Sequence, residues 1–258
     1  IIVVMMDVSI LGCGWLGMPL ATFLLNKKYG IKGSTTSDNK LRVFKEKGIT
    51  PFLIDVDKKD NQGIQQFLTS EILIVAITSK NVEGFKNLIK EIEKSIIKKV
   101  IFISSTSVYP SLNNLVTEEE MTIDSPLVEI EGLFKENSSF KTTIVRFAGL
   151  LGNGRNPGNW FEKRKIPHPR GYVNMIHRED CINIIYQVII QNVWGEIFNA
   201  CSNHHPTREE FYTAAKIKVK KEPPVFDDSL PLKYKIINSD KLQRELNYTF
   251  IHDNLLDI

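Results

Sequence analysis

The sequence is short of the features that mark most specialised classes of protein. Cysteine is scarce, with only Cys13, Cys181 and Cys201 in 258 residues. An odd, widely spaced set is neither a disulfide framework nor a CxxC zinc pattern. No structural metal is therefore expected, and a reducing cytoplasm is the expected location. Net charge is nearly absent: 33 Lys plus Arg against 30 Asp plus Glu leaves +3, so charge gives no argument for a nucleic-acid partner. No run approaches the roughly 18 uninterrupted apolar residues of a membrane span. The apolar opening, residues 1–6, is cut by Asp7 and lacks a basic leader and a small-residue cleavage site. It is not read as a signal peptide, and Met5 or Met6 is a candidate start. A hydrophobic share of 42% with 15 glycines excludes a disordered or low-complexity chain.

What is present is alternation. Short β-branched runs at Val8–Leu11, Gly30–Thr35, Pro51–Asp55, Ile72–Ile77, Val100–Ser104 and Thr142–Phe147 are separated by longer amphipathic stretches. Two of these, Leu16–Lys27 and Phe85–Ser95, space their apolar residues as helices do. This is the pattern of βαβ units on a parallel sheet covered on both faces. After Leu150 the texture changes to glycine- and proline-rich loops around Gly152–Asn159 and Ile166–Gly171. A helix then starts near Asp180, placed to cap it. Another starts at Thr207-Arg208-Glu209-Glu210, a capping box, and a short one covers Asp240–Leu246.

The most informative stretch is Gly12-Cys13-Gly14-Trp15-Leu16-Gly17. It follows the first strand and opens a helix, the context in which GxGxxG is a dinucleotide fingerprint. Gly12 permits the tight turn, Gly14 lets the backbone approach a pyrophosphate, and Gly17 lets helix and strand pack closely. Cys13 beside that helix N-terminus would have a depressed pKa, yet without a neighbouring base it is read as a small loop filler. The carboxyl ends of the other strands supply further candidate contacts: Thr35, Thr36 and Ser37; Asp55 and Val56; Ala76, Ile77 and Thr78; Ser104; Phe147 and Ala148. The second strand ends in hydroxyls rather than the acid that would hold a ribose 2′-OH, and Lys40 and Arg42 follow. This favours NADP over NAD, although those two cations equally suit a solvated helix face. Asp55 could contact the adenine side or cap the next segment.

At Ser104-Ser105-Thr106-Ser107-Val108-Tyr109-Pro110 the chain resembles the extended, sugar-nucleotide-modifying short-chain dehydrogenase/reductases, the NAD-dependent epimerase/dehydratase proteins. Their Ser-Ser-x-x-Val-Tyr-Gly is matched except that Pro110 replaces glycine. Val145-Arg146-Phe147-Ala148-Gly149 resembles their sixth strand and its exit. Ile176-His177-Arg178-Glu179-Asp180 is similar to their His-Val-Asp-Asp segment, with His177 packed structurally. Trp194–Asn199 and Ser239–Leu246 follow in order. The resemblance implies a Rossmann-type doubly wound parallel sheet with a small C-terminal α+β substrate lobe. Residues 1–150 would bind the dinucleotide, with 172–200 returning to that domain; 151–171 and 201–258 would form the lobe.

The departures matter more. Leu11 stands where such proteins usually carry the first glycine of GxxGxxG. The resemblance also implies a catalytic Tyr-x-x-x-Lys roughly 25 residues after the catalytic Ser or Thr. Here Ser125–Lys135 contains no tyrosine. In that pair an ammonium lowers the phenol's pKa and makes it a usable acid/base. Without it, Ser105 and Thr106 could still polarise a substrate oxygen. Tyr109 is expected to be structural; Glu129 and Glu131, which flank the vacant position, are expected to lie on an exposed helix face, though if buried they could act as acid or base. Arg155, Asn159, His168 and Arg170 are the candidate substrate contacts, by position in the two loops; a surface loop that happens to hold them is equally consistent. His204 and His205, adjacent in sequence, are poor chelators of one metal. Lys216, Lys218, Lys220 and Lys221 are expected to form a solvated basic face.

Two functions follow. One is hydride transfer, using NAD(P), on a small polar or sugar-nucleotide-like substrate, by a monomer or homodimer with no nucleic-acid or membrane partner. The other is a non-catalytic NADP-binding sensor or scaffold. A 6-phosphogluconate-dehydrogenase-like enzyme would need a long all-helical second domain, which the texture after Leu150 contradicts.

Overall fold

The computed structural model of the chain describes residues 6–58, 60–162 and 164–257. Five strands come first: β1 (Asp7–Leu11), β2 (Gly30–Thr35), β3 (Thr50–Leu53), β4 (Ile72–Val75) and β5 (Lys99–Ser105). Helices α1 (Gly17–Asn26), α2 (Leu41–Glu46), α3 (Ile64–Phe67) and α4 (Val82–Glu93) connect them in turn. After β6 (Leu115–Val116) come α5 (Pro126–Lys135), β7 (Lys141–Phe147), β8 (Gly149–Leu151), β9 (Ile166–Pro167) and β10 (Met175–His177). The chain continues through α6 (Arg178–Ile190), β11 (Ile197–Ala200), α7 (Arg208–Lys218), β12 (Phe226–Asp227), β13 (Ile236–Ile237) and α8 (Asp240–Glu245).

Seven strands form one sheet in the order β11-β7-β5-β4-β1-β2-β3. β1 pairs in parallel with both β2 and β4, and β2–β3 and β4–β5 are parallel as well. The chain steps outward from β1 to β3 and then returns past β1 to β4. Connections leaving β1 and β4 therefore diverge, which opens a crevice at the carboxyl ends of these strands. The expected α/β, doubly wound Rossmann-type sheet is observed.

The strand and helix ends differ from expectation by a few residues. β3 stops at Leu53 and β4 at Val75, short of Asp55 and Ile77. α4 starts three residues before Phe85 because the Asn81 side chain caps it, accepting from the Gly84 N–H at 3.1 Å.

The chain divides into two compact units, one comprising Ile1–Ser104, Asp124–Val145 and Ile185–Ile197, the other Ser105–Ile123, Arg146–Ile184 and Phe198–Ile258. In the first, Phe102 of β5 stacks on Phe134 of α5 at 4.9 Å, and Phe85 of α4 meets both rings edge-on at 6.0 Å. All three are essentially fully buried, each contributing about 1.5–3 kcal/mol. Ile92, Ile130 and Ile144 complete this core. In the second unit, Phe211 and Tyr212 of α7 pack with Leu151, Ile166, Val173 and Leu255. The capping box at Thr207 and Glu210 forms as expected and fixes where α7 begins. Three short parallel pairs, β8–β10, β9–β12 and β6–β13, tie the loops of this unit together. Among the described residues, no helix is long and apolar enough to cross a membrane.

Candidate functional site

The glycine loop lies in the first unit, between β1 and α1. Gly12 has φ +96°, and a Cβ there would lie 2.5 Å from Ile77 Cγ2 and 2.8 Å from the Ala76 carbonyl oxygen. The turn after β1 therefore presses directly on Ala76 and Ile77 after β4. A Cβ on Gly17 would collide with the Gly12 carbonyl oxygen. Gly14 is the opposite case: it is exposed, its φ is not positive, and nothing lies within 4 Å of where its Cβ would be. Two of the three glycines are required by the protein's own packing, and the middle one faces open space.

The loop is braced from β2. Gly12 N–H donates to Ser34 Oγ at 2.9 Å, and Cys13 N–H to the Ser34 carbonyl at 2.8 Å. No side chain caps α1 at Leu16, and its first turn holds no acid. The positive end of the helix dipole is left without an internal anion. Cys13 itself is 5% exposed, and burial pushes its thiol up to about 12. The expected depression is overturned because desolvation of a thiolate outweighs the helix terminus. Cys13 is a packed filler.

Beyond β2, Thr35 is buried, Thr36 is exposed, and the Ser37 N–H donates to Thr35 Oγ1 at 3.2 Å. Lys40 is exposed, and Arg42 pairs only loosely with Glu46, at 3.4 Å with both side chains well solvated. Asp55 Oδ1 accepts from the Asp57 N–H at 3.1 Å, so its carboxylate shapes the turn after β3. Val56 beside it is buried.

The window that lacks tyrosine forms α5, capped by Ser125 with Pro126 in its first turn. Glu129 is exposed and pairs with Lys86 at 3.9 Å. Glu131 departs from expectation: it is 4% exposed and accepts a 2.5 Å hydrogen bond from Ser104 Oγ at the end of β5. The expected exposed pair of glutamates is thus half wrong, because α5 turns the two residues to different faces. Leu127, partly buried against the core, and Glu131 are spaced i, i+4 on that helix.

In the second unit Ser105 accepts from the Ser107 N–H at 3.1 Å, which leaves its hydroxyl hydrogen able to donate elsewhere. Thr106 is buried at 6% exposure. Its carbonyl and that of Tyr109 receive the Lys235 ammonium at 2.8 and 2.6 Å. Burial lowers the Lys235 pKa. Tyr109 is 2% exposed; its hydroxyl donates to Asn199 Oδ1 at 2.9 Å and accepts from Arg146 at 2.5 Å. Burial raises its pKa, against the opposing pull of Arg146. The expected structural role holds. Glu118 joins the cluster by accepting the Asn199 N–H at 2.7 Å, and its pKa is raised, chiefly by burial. Phe147 and Ala148, also in this unit, are buried where β7 ends.

Of the substrate candidates, Arg155 and Asn159 are exposed in the first loop. Arg170 is exposed and engaged by Asp228 at 3.1 Å. His168 has φ +55° and is half-buried, with Nδ1 lacking any partner. Among the described residues this nitrogen finds no hydrogen-bond partner. Two further expectations change. Lys216 is 4% exposed, so the basic run is not uniformly solvated; Lys221 of the same run pairs with Glu162. α6 begins at Arg178, which puts Asp180 inside the first turn. Its carboxylate accepts instead from Tyr248 Oη and the Ile251 N–H, both at 2.7 Å, and from the His252 N–H at 3.0 Å.

Residues 8–185 match the family model described as NAD dependent epimerase/dehydratase family. The Escherichia coli (strain K12) protein YeeZ is 30% identical over 265 residues, covering 95% of this chain and 96% of that protein. The Bacillus cereus UDP-glucuronic acid 4-epimerase, solved with UDP-glucuronic acid and NAD, superposes with a TM-score of 0.80 at 18% identity, covering 98% and 96% of the two chains. The Thermotoga maritima UDP-glucose 4-epimerase, solved with UDP-glucose, gives a TM-score of 0.76 at 14% identity, covering 95% and 94%. The chain belongs to the NAD-dependent epimerase/dehydratase family.

Proposed function

We propose that this member of the family binds a nicotinamide dinucleotide on its glycine loop, with NADP favoured over NAD, and transfers hydride on a small polar or sugar-nucleotide-like substrate. The observation that carries the reading is the contrast within the loop. Gly12 and Gly17 are closed by protein atoms, while Gly14 is open on the side where its Cβ would be. A bare backbone beside an uncapped helix N-terminus suits a pyrophosphate. The dinucleotide, when bound, supplies the hydride acceptor and donor.

The protein's own groups do the rest. Thr36 and Ser37 with Lys40 and Arg42 suit a 2′-phosphate, since no carboxylate ends β2 to repel one. The remaining dinucleotide contacts are assigned to Trp15, Leu16, Asp55, Val56, Ala76, Ile77, Thr78, Ser104, Phe147 and Ala148. Ser105, whose oxygen already accepts one N–H, donates its hydroxyl to the reacting oxygen, with Thr106 behind it. Glu131 is a buried carboxylate in the window that lacks the tyrosine, and it accepts a short hydrogen bond from Ser104 Oγ. The lobe 151–171 with 201–258 takes the substrate through Arg155, Asn159, His168 and Arg170. The three free, buried cysteines fit a reducing, cytoplasmic setting.

Titrating NADPH and NADH by fluorescence tests the first half; binding of neither overturns the proposal. Cofactor turnover and product formation across UDP-sugars and small ketones test the second. Ser105→Ala should abolish turnover while leaving dinucleotide affinity unchanged. The locked Tyr109 and the missing Tyr-x-x-x-Lys favour a second reading, a dinucleotide-binding sensor. Tight binding with no turnover or epimerised product would select it.

A further inference from the structure

We propose that His177, Glu179 and His252 form a site for a divalent transition-metal ion of the Zn2+ type, away from the glycine loop in sequence and contained in the second unit. His177 ends β10, Glu179 lies in the first turn of α6, and His252 belongs to the C-terminal segment. One nitrogen or oxygen from each of the three lies within 4.8 Å of the others. The two imidazoles are in contact, ring centroids 3.8 Å apart and tilted by 52°. His252 Nε2 stands 2.9 Å from Glu179 Oε2 across 73 residues of sequence.

Three features make this more than a meeting of polar side chains. The donor set is two neutral-capable nitrogens and one carboxylate, which suits Zn2+ and its neighbours and is a poor fit to Mg2+ or Ca2+. The ligands are also held in place by groups that are not ligands. Asp180, fully buried, grips the backbone N–H groups of Ile251 and His252 together with the Tyr248 hydroxyl. The segment bearing His252 is thereby fixed against the start of α6, the arrangement by which outer hydrogen bonds orient a metal ligand. Access is adequate, since the Glu179 side chain is 55% exposed and that of His252 30%. An ion entering here displaces the His252–Glu179 hydrogen bond and leaves coordination positions for water. It would clamp the C-terminal segment to α6.

Isothermal titration of the whole protein with Zn2+, together with the visible absorption of the Co2+ complex, tests this. The expected result is one ion per chain, with binding weakened at least tenfold in both His252→Ala and Glu179→Gln. His204→Ala/His205→Ala, which removes two histidines outside the proposed ligand set, should leave it unchanged. Circular dichroism establishes that each variant is folded, and Glu179→Gln, at an exposed position of unchanged volume, keeps the test open if His252→Ala is not. Absence of Zn2+ binding overturns the site. So does binding that survives both ligand variants, or that is lost with His204 and His205.

Discussion

Alanine at Gly14 and at Gly17 should fail in opposite ways, although the two glycines stand three residues apart. At Gly17 the new methyl meets the Gly12 carbonyl oxygen, and that carbonyl cannot easily move. It accepts the Gly14 N–H at 2.9 Å, while the N–H of Gly12 is held by Ser34 Oγ at 2.9 Å. Overpacking of this kind costs about 1–3 kcal/mol, and the gain of alanine over glycine in a helix returns up to about 1 kcal/mol. Because the clash is severe and is with a backbone atom, the cost lies at the upper end, and a net loss of about 2 kcal/mol lowers Tm by roughly 4–8 °C in a chain of this size. At Gly14 the methyl meets no protein atom and the backbone φ is one that alanine adopts, so stability should stay within about 0.5 kcal/mol of the parent. The same methyl occupies the space in which a pyrophosphate would approach, so NADPH affinity should fall at least about tenfold, or ~1.4 kcal/mol. Differential scanning fluorimetry and NADPH fluorescence titration on both variants give the two readings separately. A Gly14→Ala protein that binds NADPH within twofold of the parent would refute the cradle assignment. A Gly17→Ala protein with an unchanged Tm would refute the packing account.

Tyr109→Phe should cost about 1–3 kcal/mol in a urea unfolding curve, because Asn199 and Arg146 both lose a buried partner. An unchanged urea midpoint with lost turnover would instead make the phenol an acid/base. Asp180→Asn trades a carboxylate that accepts from three donors for an amide with one acceptor oxygen. It should lower Tm by at least about 4 °C, from a loss of roughly 2 kcal/mol or more; a smaller shift would mean the C-terminal segment is held by other contacts. Glu118→Gln keeps an acceptor for the Asn199 N–H but removes a carboxylate whose pKa burial has raised. A raised folded pKa means that wild-type stability is fully present below the unfolded value near 4.5 and is lost as pH rises through the folded value. The variant should therefore gain Tm relative to the parent at pH 8 and lose that advantage at pH 4, and a pH-independent difference would refute the assignment.

The part of the fold written in local pattern was legible in the sequence. Strands β1, β2 and β7 and the capping box at Thr207 follow from apolar runs and side-chain chemistry that act within a few residues. The pairs β6–β13 and β9–β12 were not legible, because two-residue strands carry no periodicity and exist only through partners more than fifty residues away. The same limit explains the misplaced side chains. Asp180 has the chemistry of a helix cap, but its partners Tyr248, Ile251 and His252 lie about seventy residues on. Lys235 reaches the carbonyls of Thr106 and Tyr109 from beyond residue 230, with no motif to announce it. Glu131 differs in kind. Its i, i+4 relation to Leu127 was available, but a glutamate on a helix is exposed far more often than it is buried.

The buried Glu131 bears on the proposed reaction together with the missing tyrosine. A lysine beside a tyrosine would favour a phenolate by its positive charge; a glutamate would oppose one. The Glu131 carboxylate finds its own proton donor in Ser104 at 2.5 Å. Tyr109 is committed to Asn199 and Arg146 and has its pKa raised by burial. On the proposed reading, proton movement would run through the Ser104 hydroxyl and the Glu131 carboxylate. Such a relay is strongest toward a substrate hydroxyl that is already acidic or toward a carbonyl that needs only a hydrogen bond. Ser104→Ala tests this relay, with turnover read at saturating dinucleotide because Ser104 is also an assigned dinucleotide contact. Turnover should fall to the level of Ser105→Ala. Full turnover in Ser104→Ala would leave Glu131 a structural carboxylate.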